Sequence, residues 1–228
     1  LTRFDSARSN EFELPAPDLD PEYYTNFELG VKRRDNSWSS QVVLFHTLIR
    51  DKILRFPTGN TNASGEREIT KDNVGNGSVE GIELGLAYRM TEQWSTFGNA
   101  TYLHGKQSTY PTSAPVLEDE YLERLMPFTA QLGLRWEDKS NELWVEGLIA
   151  HAAIGDRLST RDVNDSTRIP AGGTPAFTTL DLRLGWQVLP NAKLHLGLEN
   201  LTDKDYRIHG SGLNRPGRNL TVGFGWSF

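Results

Sequence analysis

Cysteine, long apolar runs and clustered basic residues are all missing from this sequence. None of its 228 residues is a cysteine, which excludes disulfide bridges, thiolate metal sites and cysteine nucleophiles. Hydrophobic residues make up only 37% of the chain, and no apolar run approaches the roughly 18–20 residues that a membrane helix needs. A helical membrane protein is therefore excluded. The net charge of −6, with no basic cluster to offset it, argues against a nucleic-acid partner.

The strongest positive pattern is a strict alternation of apolar with small or polar residues. It defines three apolar sets, which are Ile82, Leu84, Leu86 and Tyr88; Leu180, Leu182 and Leu184; and Leu220, Val222, Phe224, Trp226 and the terminal Phe228. Side chains of an extended strand repeat every two residues, so each segment has one apolar face and one polar face. Such a face either packs on a second sheet in a soluble protein or contacts lipid in an outer-membrane barrel.

The connections between about nine such segments alternate in length. Short connections are predicted at 34–37, 91–93, 137–142 and 187–192, and long polar loops at 57–73, 105–126, 157–174 and 202–216. Five tryptophans lie beside the short connections or the C-terminus, namely Trp38, Trp94, Trp136, Trp186 and Trp226. Bacterial outer-membrane barrels have short periplasmic turns, long external loops and aromatic girdles at the membrane interfaces.

The sequence therefore predicts an all-β fold, an antiparallel transmembrane β-barrel whose three apolar sets face lipid. The alternative is a soluble all-β module, such as a carbohydrate-binding domain, with the tryptophans in its core. That alternative needs a partner sheet for many apolar faces. A different outer-membrane barrel, either a passive porin or an outer-membrane enzyme, is a further alternative.

Several segments resemble one family of barrels. Residues 199–206 (ENLTDKDY), residues 209–219 (HGSGLNRPGRN) and the closing Trp-Ser-Phe are similar to the C-terminal end of TonB-dependent outer-membrane receptors. Residues 21–30, 79–88 and 168–177 resemble other parts of the same barrel. The resemblance implies a barrel of about 22 strands around an N-terminal plug, in the outer membrane of a Gram-negative bacterium. It also implies uptake of a ferric siderophore, haem or cobalamin, driven by the inner-membrane TonB complex.

On this resemblance, residues 1–228 are the C-terminal portion of the barrel, about its last nine strands. The plug and the earlier strands are expected upstream, since the chain opens on Leu-Thr-Arg-Phe-Asp with neither a starting methionine nor a signal peptide. An open sheet of nine strands has two unpaired edges, so we expect this portion alone to be unable to transport a ligand.

Residues of the predicted external loops are the candidates for ligand contact. They are Tyr121, Tyr206, His209, Arg215 and Arg218. Arginine suits the carboxylates or catecholates of an anionic ligand, whereas the alternative for Arg215 and Arg218, with Asp205, is a set of salt bridges that ties down the final loop. The terminal Phe228 resembles the signal by which the barrel-assembly machinery recognises its clients.

No metal site, cofactor or catalytic centre is predicted. The five histidines show no close metal-ligand spacing, and no G-x-S-x-G motif is present. The acidic run 118–120 with Glu123 has the chemistry to attract a cation, but acidic loops are more often solvated. Residues 162–165 begin like a calcium loop but lack its glycine and its distal glutamate.

Overall fold

A computed structural model describes residues 11–228 of the chain. Its elements are β1 (Glu11–Glu13), β2 (Tyr23–Arg34), β3 (Trp38–Thr61), β4 (Arg67–Arg89), β5 (Trp94–Thr109), β6 (Glu118–Tyr121), β7 (Thr129–Glu137), β8 (Leu143–Ala152), α1 (Thr160–Asn164), β9 (Phe177–Leu189), β10 (Ala192–Glu199) and β11 (Asn219–Trp226). The first ten residues of the predicted 1–228 unit lie outside the described part. Among the described residues, no helix has the length and apolarity needed to cross a membrane.

The strands form one antiparallel sheet in the order β11-β10-β9-β8-β7-β5-β4-β3-β2. The short β6 pairs with β5, and β1 pairs in parallel with β4. Nine strands along the main path confirm the predicted number and the all-β antiparallel fold. Within residues 11–228, β2 and β11 form the two edges of this path.

Asp side chains form the tight turns at one end of the sheet. In the turn between β2 and β3, the Asp35 carboxylate accepts hydrogen bonds from the backbone N–H groups of Ser37 (3.0 Å) and Trp38 (2.8 Å). Asp138 accepts in the same way from the N–H of Leu143 (3.1 Å) between β7 and β8. Because these bonds favour the charged carboxylate, they lower the pKa of Asp35. The pKa of Asp138 is lowered mainly by the hydrogen bond from the Ser140 hydroxyl, and then by the bond from Leu143. The predicted short connections are confirmed.

Three of the predicted long loops contain regular structure that was not predicted, and in the loop at 157–174 this is the short helix α1. Strands β3 and β4 continue into the segment predicted as a loop at 57–73, leaving only residues 62–66 as their turn. β5 likewise extends to Thr109 and pairs with β6. The loop prediction was wrong at these positions because backbone N–H and C=O groups pair in a ladder even where polar, Gly- and Asn-rich side chains replace the apolar alternation.

Strand register gathers the alternating apolar residues onto one continuous face, called here the apolar face. Leu84 pairs with Val42 and Ala100, and Leu182 pairs with Leu198. Residues directly opposite in antiparallel strands share a face, so the strand residues of all three predicted apolar sets lie on this side of the sheet, while Phe228 lies beyond the end of β11. Many of its side chains are uncovered: Phe224, for example, is 66% exposed. No second sheet covers this face within residues 11–228, so the partner that a soluble sandwich requires is absent from the described part.

The opposite side of the sheet, called here the polar face, carries paired charges. Arg135, Glu146 and Arg183 are direct neighbours across β7, β8 and β9. The two oxygens of Glu146 lie 3.7 Å from Arg135 and 3.6 Å from Arg183. The Arg135 guanidinium stacks over Trp144, 4.2 Å from the ring centroid. Trp144 is thus the one tryptophan of six that lies on the polar face.

Candidate functional site

An aromatic border ends the apolar face beside the short turns. Trp94 and Trp136 are directly paired, and the Trp38 and Tyr88 rings lie 5.4 Å apart. The same border includes Trp186 and Trp226. The register therefore brings together the five tryptophans that the sequence placed beside the short connections.

A second border crosses the apolar face eight positions farther along the strands. Each residue of this second border lies eight positions from a residue of the first: His46 from Trp38, Glu80 from Tyr88, Tyr102 from Trp94, Phe128 from Trp136 and Thr178 from Trp186. His46 pairs with Glu80 at 3.4 Å. Eight residues span about 27 Å along a strand, or about 20 Å of height at the tilt of barrel strands. The surface between the two borders, called here the apolar band, approaches the roughly 25 Å band of known outer-membrane barrels.

Beyond the second border, the connecting segments pack into a small core of their own, called here the loop layer. Its centre is Asp162 in α1, which is 2% exposed. This carboxylate accepts from the Ser159 hydroxyl at 2.9 Å and from the backbone N–H of Arg124 at 3.2 Å. Ile169 and Leu125 are buried in the same layer. Asp162 thus completes the capping box of α1, whose N-cap is Ser159, and ties the helix to the segment before β7.

His209 lies inside this layer, not on its surface. The side chain is 7% exposed, and its Nδ1 is 3.0 Å from the hydroxyl oxygen of Thr174. The ring packs so closely on Gly155 that a Cβ there would lie 2.6 Å from Nδ1. Burial lowers the pKa of His209, although the nearby charge of Asp162 acts in the opposite direction. The neutral imidazole therefore helps to hold the last connection of the chain, which contains His209, against the connection between β8 and β9, which contains Gly155 and Thr174.

The last connection is tied down by Arg218. Its guanidinium lies 3.3 Å from the Asp203 carboxylate, which also accepts its backbone N–H at 3.0 Å. These bonds lower the pKa of Asp203. The Arg218–Asp203 pair is a salt bridge of the kind that was predicted from the sequence as the alternative role for Arg218. The predicted partner was Asp205, which instead accepts a hydrogen bond from the Asn214 amide at 2.7 Å.

Tyr206 lines a cleft at the same end of the sheet. Its ring lies 4.3 Å from that of Phe177, and burial raises its pKa. The cleft has a volume of about 200 Å³ and is also lined by two cations, Lys204 and Arg207, and by one carboxylate, Asp205. Arg207 is held by a 2.8 Å hydrogen bond to Asn214. This loop cleft therefore combines an aromatic ring with positive charge, a combination that suits an anionic ligand.

The five predicted ligand-contact residues do not converge on one site. Only Tyr206 lines the loop cleft; Arg215 is exposed nearby and donates its backbone N–H to the Tyr206 carbonyl at 2.8 Å. Tyr121 is paired with Lys106 on β5, in a different part of the sheet. Lys204 and Arg207 were not identified as site residues from the sequence. They belong to no periodic pattern, and only the fold distinguishes them from the other cations of the loops.

The predicted acidic clusters are used for internal bonds. Asp119 accepts from Ser108 at 2.8 Å, Glu120 accepts from the Thr160 N–H at 3.0 Å, and Glu123 pairs with Arg161 at 2.9 Å. Asp165, in the segment that begins like a calcium loop, pairs with Arg168 at 3.0 Å. Among residues 11–228, no three His, Asp or Glu side chains are grouped to hold a metal ion.

Comparison with known proteins places this sheet in a family. The sequence model described as "TonB dependent receptor-like, beta-barrel" matches residues 3–201. The metal-pseudopaline receptor CntO of Pseudomonas aeruginosa is 28% identical over 217 residues, which are 90% of this chain and 27% of that protein. The probable TonB-dependent siderophore receptor PiuA of Acinetobacter baumannii is 27% identical over 212 residues, covering 82% of this chain and 24% of that protein.

Solved structures agree on the fold. The FrpB iron transporter of Neisseria meningitidis superposes with a TM-score of 0.73 at 18% identity, over 98% of this chain and 34% of that one. The copper transporter OprC gives 0.70 at 21% identity, over 93% and 32%. The chain spans about a quarter of the length of the relatives that it matches in sequence. It belongs to the TonB-dependent receptor β-barrel family, the outer-membrane barrels of Gram-negative bacteria.

Proposed function

We propose that the complete protein containing this chain is an outer-membrane receptor that takes up a siderophore or another metal–chelator complex, energised by the inner-membrane TonB complex. The main observation that supports this proposal is the family match across residues 3–201. Two relatives are named as receptors for a siderophore and for metal-pseudopaline, which favours a chelated metal as cargo. Transport is favoured over catalysis, since the relatives are named as receptors.

The apolar band is proposed to face lipid and the polar face to line the barrel interior. On this placement Ile82, Leu84, Leu86, Tyr88, Leu180, Leu182, Leu184, Leu220, Val222, Phe224 and Trp226 contact the membrane. Residues 1–228 then form the C-terminal portion of the barrel, with the plug and earlier strands upstream and the long loops outside the cell. The exposed edges of β2 and β11 would pair with those earlier strands, because unpaired backbone groups are costly in hydrocarbon.

The loop cleft is proposed to contact the ligand. Tyr206 offers an aromatic surface, while Lys204, Arg207 and the exposed Arg215 supply positive charge. Together they suit a ligand with carboxylate or catecholate groups. Haem and cobalamin are less favoured, because the two sequence relatives described above are named for a siderophore and for metal-pseudopaline. His209 and Arg218 would support this site without contacting the ligand: His209 packs in the loop layer, and Arg218 forms the ion pair with Asp203.

The test is iron-limited growth of a siderophore-receptor-deficient strain that expresses the complete protein. Cells would be fed one ferric catecholate, hydroxamate or aminocarboxylate at a time, with and without the TonB gene. We expect growth on at least one complex, only with TonB. Growth that persists without TonB would indicate a passive pore, and no growth on any complex would argue against chelated iron as the cargo.

A cleft variant refines this experiment. The double substitution Lys204→Gln and Arg207→Gln should raise the ligand concentration for half-maximal uptake by roughly tenfold or more, because each charge-assisted hydrogen bond contributes about 1.5–3 kcal/mol. Lys193→Gln is the matched control, since Lys193 is an exposed cation on β10 at the opposite end of the polar face. An equal loss in both variants would show that the cleft is not the ligand site.

A further inference from the structure

A row of cations and aromatic rings continues the apolar face beyond its second border. Tyr102, His104 and Lys106 alternate along β5 and therefore share this face. The guanidinium of Arg157 stacks 5.1 Å from the Tyr102 ring centroid and donates to the Leu103 carbonyl at 2.6 Å. Arg157 is thus fixed in place from two sides.

The second cation of the row is Lys106. Its Nζ lies 5.6 Å from the ring centroid of Tyr121, the residue paired with it on β6. The Tyr121 ring in turn meets His104 edge-on at 5.9 Å. Tyr121, predicted from the sequence as a ligand contact, is therefore part of a surface that continues the apolar face, away from the loop cleft.

The height of this row matches the headgroup layer of a membrane. Tyr102 lies on the second border, and Lys106 is four residues farther along the same strand. Four residues correspond to about 13 Å along a strand, or about 10 Å of height at the tilt of barrel strands. The polar layer of a bilayer begins where the hydrocarbon ends and is several Å thick on each side. Both cations would then lie among lipid headgroups.

Neither cation has an ion-pair partner among the described residues. Arg157 and Lys106 form no ion pair within residues 11–228, although other arginines there do. Two carboxylates of this face bond to other groups: Glu80 lies 3.4 Å from His46, and Asp119 accepts from Ser108 at 2.8 Å. Arg157 and Lys106 therefore remain on this face without an ion-pair partner within residues 11–228.

We propose that Arg157 and Lys106, positioned by Tyr102 and Tyr121, bind the phosphate groups of a phosphorylated glycolipid in the outer leaflet. Guanidinium binds phosphate in a bidentate manner, and stacking on Tyr102 orients it in advance, while Lys106 contributes a point charge. The tyrosine rings would contact the adjoining acyl region, as is common at membrane interfaces. This proposal rests on the proposed placement of the apolar band in lipid.

The experiment measures lipid binding to the complete protein in detergent. The probe is diphosphorylated lipid A, with dephosphorylated lipid A and inorganic phosphate as separate arms. Arg157→Gln combined with Lys106→Gln should weaken lipid A binding roughly 25-fold, because each basic residue near an anionic surface contributes about 1 kcal/mol. The matched controls are Arg33→Gln, at the other end of the apolar face, and Lys193→Gln, on the polar face; both should stay within about twofold.

Several results would overturn the proposal. They are unchanged lipid A binding in the double variant, equal binding of dephosphorylated lipid A, or binding of inorganic phosphate alone. A probe at Leu84→Cys, quenched by brominated lipids in nanodiscs, separates this failure from that of the membrane placement. If the probe is quenched while the variant binds normally, only the headgroup site is wrong; if it is not quenched, the placement fails as well.

Discussion

Phe97 lies across Gly133, its direct partner on the neighbouring strand, and covers the bare backbone there. Any Cβ at position 133 would overlap the end of the ring. Trp144 covers Gly185 in the same way, two strand pairs farther along the polar face. An aromatic side chain over a paired glycine stabilises a sheet where the glycine alone would weaken it. These pairs therefore help to keep the polar face ordered.

Gly133→Ala should destabilise the protein by about 1–3 kcal/mol, because the Phe97 ring must leave its position. Urea unfolding of the complete protein in detergent or liposomes measures the change. The loss should shrink when Phe97→Leu is already present, as a double-mutant cycle would show. Gly225→Ala is the control, since nothing lies within 4 Å of a Cβ there. Equal losses at the two glycines would contradict the role of the ring.

A charge in the middle of the apolar band should be costly. Leu84 lies halfway between Tyr88 and Glu80, the residues of β4 at the two borders. We expect Leu84→Arg to lower the free energy of unfolding in liposomes by about 2–4 kcal/mol, as at the midplane of known barrels. Ala87→Arg, on the polar face of the same strand, should cost much less. The reverse ranking would exchange the lipid and interior faces.

The loop layer should loosen on acidification because of His209. Burial lowers its pKa in the closed layer, whereas an opened layer restores the ordinary value near 6.5. The neutral ring therefore stabilises the layer fully above about pH 6.5, and this contribution is lost as the pH falls below that value. The charged groups nearest to the ring are Asp162, which opposes the shift, and Arg124, which supports it.

Hydrogen exchange of residues 155–174 at pH 7.5 and 5.5 measures this effect. Protection should fall at the lower pH in the wild type and change much less in His209→Gln. His195→Gln, a change on the polar face outside the loop layer, should retain the wild-type pH dependence. Protection that increases on acidification would show that His209 is charged in the closed layer.

The sheet could be predicted from the sequence because its signals are local. A period of two identifies each strand and its apolar side, and Asp35 and Asp138 mark tight turns by bonding to the backbone a few residues ahead. The extension of β3 and β4 into polar sequence could not be predicted in this way. It depends on ladder pairing between strands, and backbone pairing does not change the hydrophobic pattern.

The candidate site was less accessible to sequence reasoning, because its contacts join distant segments. Asp162 binds the backbone of Arg124, and Thr174 binds His209, across 38 and 35 residues. Nothing in the sequence near His209 indicates that it is buried. Tyr206 was identified from a motif, but its partners in the cleft follow only from how the last connection folds.

The orientation of the barrel can be tested with cysteine labels, since the chain has no cysteine of its own. Labels at Ser64, Ser166 or Ser211, all exposed in connections at the end of the sheet opposite the short turns, should react with an impermeant reagent on intact cells. Labels at Asn36 or Asn191, in the short turns, should react only after the outer membrane is opened. The opposite pattern would invert the orientation.

The C-terminal residue is expected to matter for assembly rather than for stability. Phe228 follows β11 and is fully exposed, so it contributes no packing within the described residues. Deleting it from the complete protein should lower the outer-membrane level, measured by surface labelling, while Leu213→Ala, another exposed apolar residue, should not. An unchanged level would remove the proposed link to the barrel-assembly machinery.

The order of the strands in the sheet also limits which insertions and deletions of strands such a protein can accept. Along the main path, each strand neighbours only the strands closest to it in sequence, so a hairpin such as β9 with β10 forms a removable unit. Loss of both strands would leave β8 and β11 antiparallel, with their apolar sides still matched and the C-terminus at the same rim. Loss of one strand would either leave β8 parallel to the next strand or, if the following strands reversed direction to stay antiparallel, move the C-terminus to the opposite rim. Insertions and deletions should therefore be tolerated in pairs of strands, in keeping with the even strand numbers of bacterial barrels.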